Sequence, residues 1–190
     1  MKLHRTILAI CISLSWFLAI SQDVYNIGEG SEIVVHGTST LHDWEMSVQS
    51  ISGSGTFEIS NNKIQAIKSL NLEFESSLLK SGKDGMDKNA YKSLKSEEYP
   101  LISYSLEQVN GVQNKDGVFM VDATGNVTVI TNSLQVNDLV ACVISDADVV
   151  CKGEVELQMT SFAIDPPTAL VGSIKSGDDI TVSYELTFVR

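Results

Sequence analysis

Ile180-Thr-Val-Ser-Tyr-Glu-Leu-Thr-Phe188 decides the fold class. On an extended chain successive side chains point to opposite faces, so Ile180, Val182, Tyr184, Leu186 and Phe188 share one side, and Thr181, Ser183, Glu185 and Thr187 the other. One face is apolar and the other polar, the pattern of an antiparallel strand laid over a core. The same period of two recurs upstream. Leu70, Leu72 and Phe74 alternate with Asn71, Glu73 and Glu75, and Val155, Leu157 and Met159 alternate with Glu154, Glu156 and Gln158. Further strands are expected over 33–35, 44–50, 55–60, 102–109, 118–123, 126–130 and 139–145. Turn-rich links such as Ser60-Asn-Asn-Lys63, Asn114-Lys-Asp-Gly117 and Ser176-Gly-Asp-Asp179 separate them.

About eight to ten such strands make either a sandwich or a closed barrel, and closure removes exposed sheet edges. A barrel of about eight strands has an interior that side chains just fill, or that holds one small ligand. Ala123, Gly125, Ala141 and Gly153, expected to face inward between Val121, Val127 and Val143, favour some empty volume.

Among these strands only one convincing helix is legible. Met86, Ala90, Tyr91 and Leu94 recur at steps of three and four, which places them on one face of a short helix over 86–96. Pro100 ends it, because the residue before a proline is pushed out of the helical region, and residues 101–106 should run on as a strand. A small apolar helix fed into a strand reads as a plug or lid over a sheet.

The 190 residues carry 13 basic and 24 acidic side chains, a formal charge of −11 with ordinary hydrophobic content, which describes one domain. Residues 1–21 are expected to be a signal peptide outside it. Lys2 and Arg5 give a positive start, residues 7–20 are an apolar run broken only by serines, and Ala19-Ile20-Ser21 has small residues where a signal peptidase cuts. Cleavage would begin the mature domain, 22–190, at Gln22, leave no membrane span, and place the protein in the periplasm or outside the cell. It would also take the charge from −11 to −13. So acidic a chain excludes nucleic acid as a partner, since phosphate backbones are held by clustered Lys and Arg. The one local cluster, Lys80, Lys83, Lys88, Lys92 and Lys95, is interleaved with Asp84, Asp87, Glu97 and Glu98 and reads as a solvated helix face.

Cys11 would leave with the signal, so the mature chain keeps Cys142 and Cys151. If Asp146-Ala147 is a two-residue hairpin turn closed by Ser145 and Asp148, pairing outward sets Cys142 opposite Cys151 as a non-hydrogen-bonded pair, whose side chains lie close together. In an oxidising compartment that predicts a structural disulfide.

His36-Gly-Thr-Ser-Thr-Leu-His-Asp-Trp44 holds the residues with chemical potential. His36, His42 and Asp43 could share a metal only if the segment ran straight, which Gly37, Ser39 and Thr40 argue against. A nucleophile built from Ser39, His42 and Asp43 is disfavoured because adjacent residues on an extended chain point apart. The simpler reading gives His42 and Asp43 local hydrogen bonds at a strand crossing, with Trp44 filling one mouth of the barrel; contact with a ligand is the alternative.

Taken in order, Gly37-Thr-Ser-Thr-Leu-His-Asp-Trp44, Gly85-Met-Asp87, Leu94-Lys-Ser96, Tyr99-Pro-Leu-Ile102, Thr160-Ser-Phe-Ala-Ile-Asp-Pro-Pro167 and Ile174-Lys-Ser-Gly-Asp-Asp-Ile180 resemble the YceI-like family of exported bacterial proteins. The resemblance covers essentially the whole mature chain. It implies an all-β, extended antiparallel barrel of lipocalin-like form with one short helix. It further implies an apolar interior that holds a polyisoprenoid or similar amphiphilic lipid, with no catalytic residue; no metal or cofactor is expected. The expected lining is Trp44, Leu72, Phe74, Tyr91, Ile102, Tyr104, Leu157, Val182, Tyr184 and Leu186. A diphosphate head would call for Arg or Lys at the mouth, and the only arginine beyond the signal is Arg190. An isoprenoid quinone, a fatty amide or an acyl chain is therefore preferred. The competing reading is a structural or interaction barrel, with a homodimer left open, in which the same residues fill a solid core.

Overall fold

The computed structural model describes residues 22–190; the expected signal peptide at 1–21 lies outside them. The strands are β1 (Gln22–Ile27), β2 (Glu32–Ser39), β3 (Trp44–Val48), β4 (Ser52–Ser60), β5 (Lys63–Glu75) and β6 (Leu79–Lys80). The helix α1 (Asp84–Ser93) follows, then β7 (Leu101–Lys115), β8 (Val118–Val129), β9 (Asn132–Ser145), β10 (Asp148–Gln158), β11 (Thr168–Ala169) and β12 (Ile174–Val189). Short 3₁₀ turns at Ser76–Leu78 and Met159–Phe162 join β5 to β6 and β10 to β11. Every strand pairing is antiparallel.

Eight strands form a ring in the order β1-β4-β5-β7-β8-β9-β10-β12, and it shuts where Asn26 and Ile27 pair with Val189 and Phe188. Further along the same edge, β12 pairs with β2, from which β3 and β6 branch. The barrel is thus split toward one end. Because β6 pairs with β3 while β5 and β7 sit in the ring, residues 76–100 bridge the split. The helix expected over 86–96 is α1, beginning two residues earlier, and its predicted face packs on the core through Met86, Ala90, Tyr91 and Leu94. Asp84 and Asp87 occupy its first turn, where the helix dipole favours negative charge, and Lys92 its last. Asp87 also anchors the approach to the helix by accepting from the Ser81 N–H (2.8 Å) and hydroxyl (2.6 Å).

Alternation fixes which residues face in. Val121 and Ala123 on β8, Val136 and Cys142 on β9, Leu157 on β10, and Leu186 and Phe188 on β12 are all buried. The expected break between 118–123 and 126–130 is absent, since Gly125 pairs with Val136 in an unbroken ladder. A second expectation is corrected. Ala141 and Val143 belong to the outer row of β9 with Leu139, which is 60% exposed, while Asp138, Val140 and Cys142 border the interior.

The two ends of the barrel differ. At the end where β1 meets β12, Phe57, Val149 and Phe188 are fully buried. There the Phe57 ring meets both Tyr25 and Phe188 at 5.2 Å between centroids. The Cys142–Cys151 disulfide lies close by, with the predicted register: Ser145 pairs with Asp148, Cys142 with Cys151, and the two Cα atoms are 4.1 Å apart. Replacing both cysteines with serine is expected to lower stability by ~2–3 kcal/mol, the loop-closure entropy of so short a segment. An unchanged urea midpoint would mean that the β9–β10 hairpin holds itself without the bridge.

Candidate functional site

The interior is not filled. A cavity of about 890 Å³ extends from the aromatic plug toward the opposite, open end, where the β2–β3 turn, the β11–β12 turn and the start of α1 surround the mouth. Strands other than β1 and β4 contribute to its wall, among them Leu70, Leu72 and Phe74 from β5, Ile102, Tyr104 and Leu106 from β7, Val155 and Leu157 from β10, and Ile180, Val182, Tyr184 and Leu186 from β12. Among the residues expected to line it, Trp44, Leu72, Phe74, Ile102, Tyr104, Leu157, Val182, Tyr184 and Leu186 border this space. Tyr91 is placed differently. Its hydroxyl donates to the Leu79 carbonyl (2.8 Å) and accepts from Lys80 Nζ (2.6 Å), so it fastens α1 to β6 instead of facing the cavity.

The His36–Trp44 stretch forms the rim. Ser39 Oγ accepts from the N–H groups of Leu41 and His42, both at 3.2 Å, and donates to the His42 carbonyl at 2.7 Å. The hydroxyl is thus spent on the turn and does not meet the imidazole. His42 Nδ1 lies 2.7 Å from the Asp43 carbonyl, and the Trp44 indole N–H donates to Thr38 O at 2.9 Å. His36 sits elsewhere, with Nε2 at 3.0 Å from the Ser183 hydroxyl. Among the described residues no group of three or more His, Cys, Asp or Glu is arranged to hold a metal ion. Leu41, Leu170 and Val171 stand exposed at the same rim. Lys83 and His42 are the basic side chains of the lining, both at the mouth. Arg190 is paired with Asp23 near the plugged end.

Away from the mouth, a charged group interrupts the apolar wall. Asp138 faces inward from the middle of β9, and Oδ2 accepts a hydrogen bond from the Tyr184 hydroxyl. The Tyr184 side chain lies over Gly153, its direct cross-strand partner, and Tyr104 lies over Gly125; a Cβ at either glycine would collide with the tyrosine. The small residues expected to leave space at 125 and 153 therefore make room for tyrosines. Burial raises the Asp138 carboxyl above its ordinary value of 3.8, against the opposing hydrogen bonds from Tyr184 and the Leu139 N–H. Burial, and then the Asp138 charge, push the Tyr104 hydroxyl up to about 12. The same causes raise Tyr184, with the hydrogen bond to Asp138 adding to them.

A raised carboxyl has a definite consequence for stability. Folded protein binds this proton more tightly than unfolded protein, so the contribution of Asp138 is most favourable below the ordinary carboxylate range. It declines as pH rises through 3.8 to the higher folded value. Asp138→Asn, which keeps an acceptor for Tyr184, is expected to melt at or above wild type at pH 7, with the advantage vanishing near pH 3. Paired thermal melts at the two pH values check this, and a lower melting point for the variant at pH 7 would contradict it.

Asp138 carried a sequence signal. Leu134, Val136, Val140 and Cys142 set an even-numbered apolar row, and Asp138 falls in that row as its one charge. Starting the strand at Leu139 hides it, because Leu139-Val-Ala-Cys-Val-Ile144 is apolar throughout and shows no parity.

No family model matches this chain, and no curated protein matches its sequence. Solved structures do. BcnA of Burkholderia cenocepacia superposes with a TM-score of 0.67 at 12% identity, over 83% of this chain and 95% of that one. A polyisoprenoid-binding domain from Saccharophagus degradans, implicated in plant cell wall breakdown, gives 0.68 at 10% identity over 89% and 99%. The YceI protein of Campylobacter jejuni gives 0.59 at 12% identity over 74% and 81%. The chain has the fold of the YceI-like proteins.

Proposed function

We propose that this protein is an exported, non-catalytic carrier or scavenger of a long-chain amphiphile, held with its chain inside the barrel, and that it belongs with the YceI-like proteins by descent as well as by fold. The observation that carries the reading is the cavity. At about 890 Å³ it stands toward the upper end of the roughly 300–1,000 Å³ of small-molecule sites, and it is apolar over most of its wall. A solid structural barrel would have closed that space with larger side chains. Each methylene buried there contributes roughly 0.8 kcal/mol, so about ten of them supply on the order of 8 kcal/mol, near micromolar affinity before the costs of association. A hydrocarbon chain is thus held without a charged anchor. The polyisoprenoid-binding domain with the same fold supports the choice of ligand class. The disulfide supports an oxidising compartment, in keeping with the export signal expected at residues 1–21.

Native mass spectrometry of protein purified without detergent from a periplasmic or secreted fraction, followed by organic extraction, tests the proposal. One isoprenoid or acyl amphiphile per chain is the expected result. Protein that arrives empty and refuses added quinones and fatty amides would overturn it.

A further inference from the structure

We propose that Tyr104, Asp138 and Tyr184 form a polar clasp within the cavity that selects a chain bearing a hydroxyl group over one bearing an anionic head. The inference rests on the carrier reading above and specifies what the carried molecule must offer.

Three features of the wall lead to it. The first is position. The buried residues divide into one apolar cluster that includes the plug and another, including Val136 and Leu157, toward the mouth, and Tyr104 packs against both. Asp138 lies on β9 between Val136 of the second cluster and Cys142 of the first. A ligand long enough to span both clusters passes the clasp.

The second feature is unspent hydrogen-bonding capacity. An ionised carboxylate has about four acceptor sites. Tyr184 and the Leu139 N–H use two, which leaves acceptor capacity on a side chain that borders the cavity. The Tyr104 hydroxyl makes no hydrogen bond to another of the described residues, although it borders the cavity and feels the Asp138 charge. The wall therefore offers one acceptor and one donor. A hydroxyl, which donates once and accepts, satisfies both together.

The third is what the wall lacks at this depth. Lys83 and His42 stand at the mouth, and among the described residues the rest of the lining supplies no cation. A carboxylate or phosphate drawn to the clasp would be desolvated beside Asp138 with no positive partner, which the low local dielectric makes costly. The glycines at 125 and 153 show how closely the arrangement is built, since any side chain at either would displace a tyrosine.

Head-group competition tests the clasp. Hexadecanol, hexadecanoate and hexadecane, equal in chain length, are offered to the delipidated full-length protein, and bound ligand is counted by native mass spectrometry. Wild type is expected to hold hexadecanol at least ~10-fold more tightly than hexadecanoate. Asp138→Asn is expected to bring the two within a factor of about three, and Tyr104→Phe to weaken the alcohol while leaving hexadecane unchanged. Both variants retain ring packing, and hexadecane uptake reports that each still has a working cavity. Equal binding of alcohol and acid by wild type, or an unchanged ratio in Asp138→Asn, would overturn the clasp while the carrier reading stands. Refusal of all three chains by wild type would overturn both.

Discussion

Replacing Leu72 with tryptophan is expected to abolish uptake of long-chain ligands while the barrel stays folded. Leu72 is 9% exposed and points from β5 into the cavity, opposite Tyr104 on β7. Placing an indole in a packed core strains rotamers and backbone, typically at a cost of about 1–3 kcal/mol. Here the added atoms have empty space to enter, so the cost should fall at the low end of that range and the volume a chain would occupy is removed. Loss of the ligand adduct in native mass spectrometry, with a melting point within a few degrees of wild type, is the expected pair of results. An unfolded variant would mean that the space around Leu72 is too tight to accept a chain. A variant that still binds would move the ligand away from β5.

Phe57→Ala is expected to have the opposite profile. Phe57 is fully buried at the plugged end and touches rings on β1 and β12, the two strands whose pairing shuts the barrel. Truncating such a phenylalanine costs about 3–5 kcal/mol, because the transfer energy of the ring is lost and a cavity remains. Against a total stability of about 5–15 kcal/mol that is a large fraction, and the melting point should drop by roughly 10 °C. Phe74→Ala makes the control. Phe74 borders the existing cavity and is only half-buried, so its loss enlarges a space already present and should cost distinctly less. Calorimetry on the two variants separates plug from lining, and equal losses would contradict the division.

The alternating strands were legible because one face of each is wet. The row Ile180, Val182, Tyr184, Leu186 and Phe188 contrasts with Thr181, Ser183, Glu185 and Thr187, and the parity it sets is the one observed. The cysteines were legible for a geometric reason, since a two-residue turn fixes the pairing for several residues outward. Where the contrast failed, so did the reading. The apolar run 139–144 assigns no side, and the mistaken parity hid Asp138 and turned Ala141 and Val143 inward. Gly125 and Gly153 could be recognised as small but not as seats for Tyr104 and Tyr184, because a cross-strand neighbour depends on a register that composition does not carry. Tyr91 lay on the correct face of α1, yet its hydroxyl is committed to the β6 backbone, a long-range choice invisible in a helical period. The ring order and its closure through β1 are likewise products of long-range pairing.

The plug would also govern exchange kinetics in a protein that carries a ligand as proposed. With Phe57, Val149 and Phe188 sealing one end, a chain held in the cavity as proposed would enter and leave by the mouth at the other. An incoming molecule cannot push the resident out through the far side. Turnover would then be dissociative: the rate at which one chain replaces another would be set by the departure of the first and would not rise with the concentration of the second. A carrier of this kind would unload fastest where something outside the mouth captures the departing molecule, so the direction of transport would be decided by the acceptor and not by the donor.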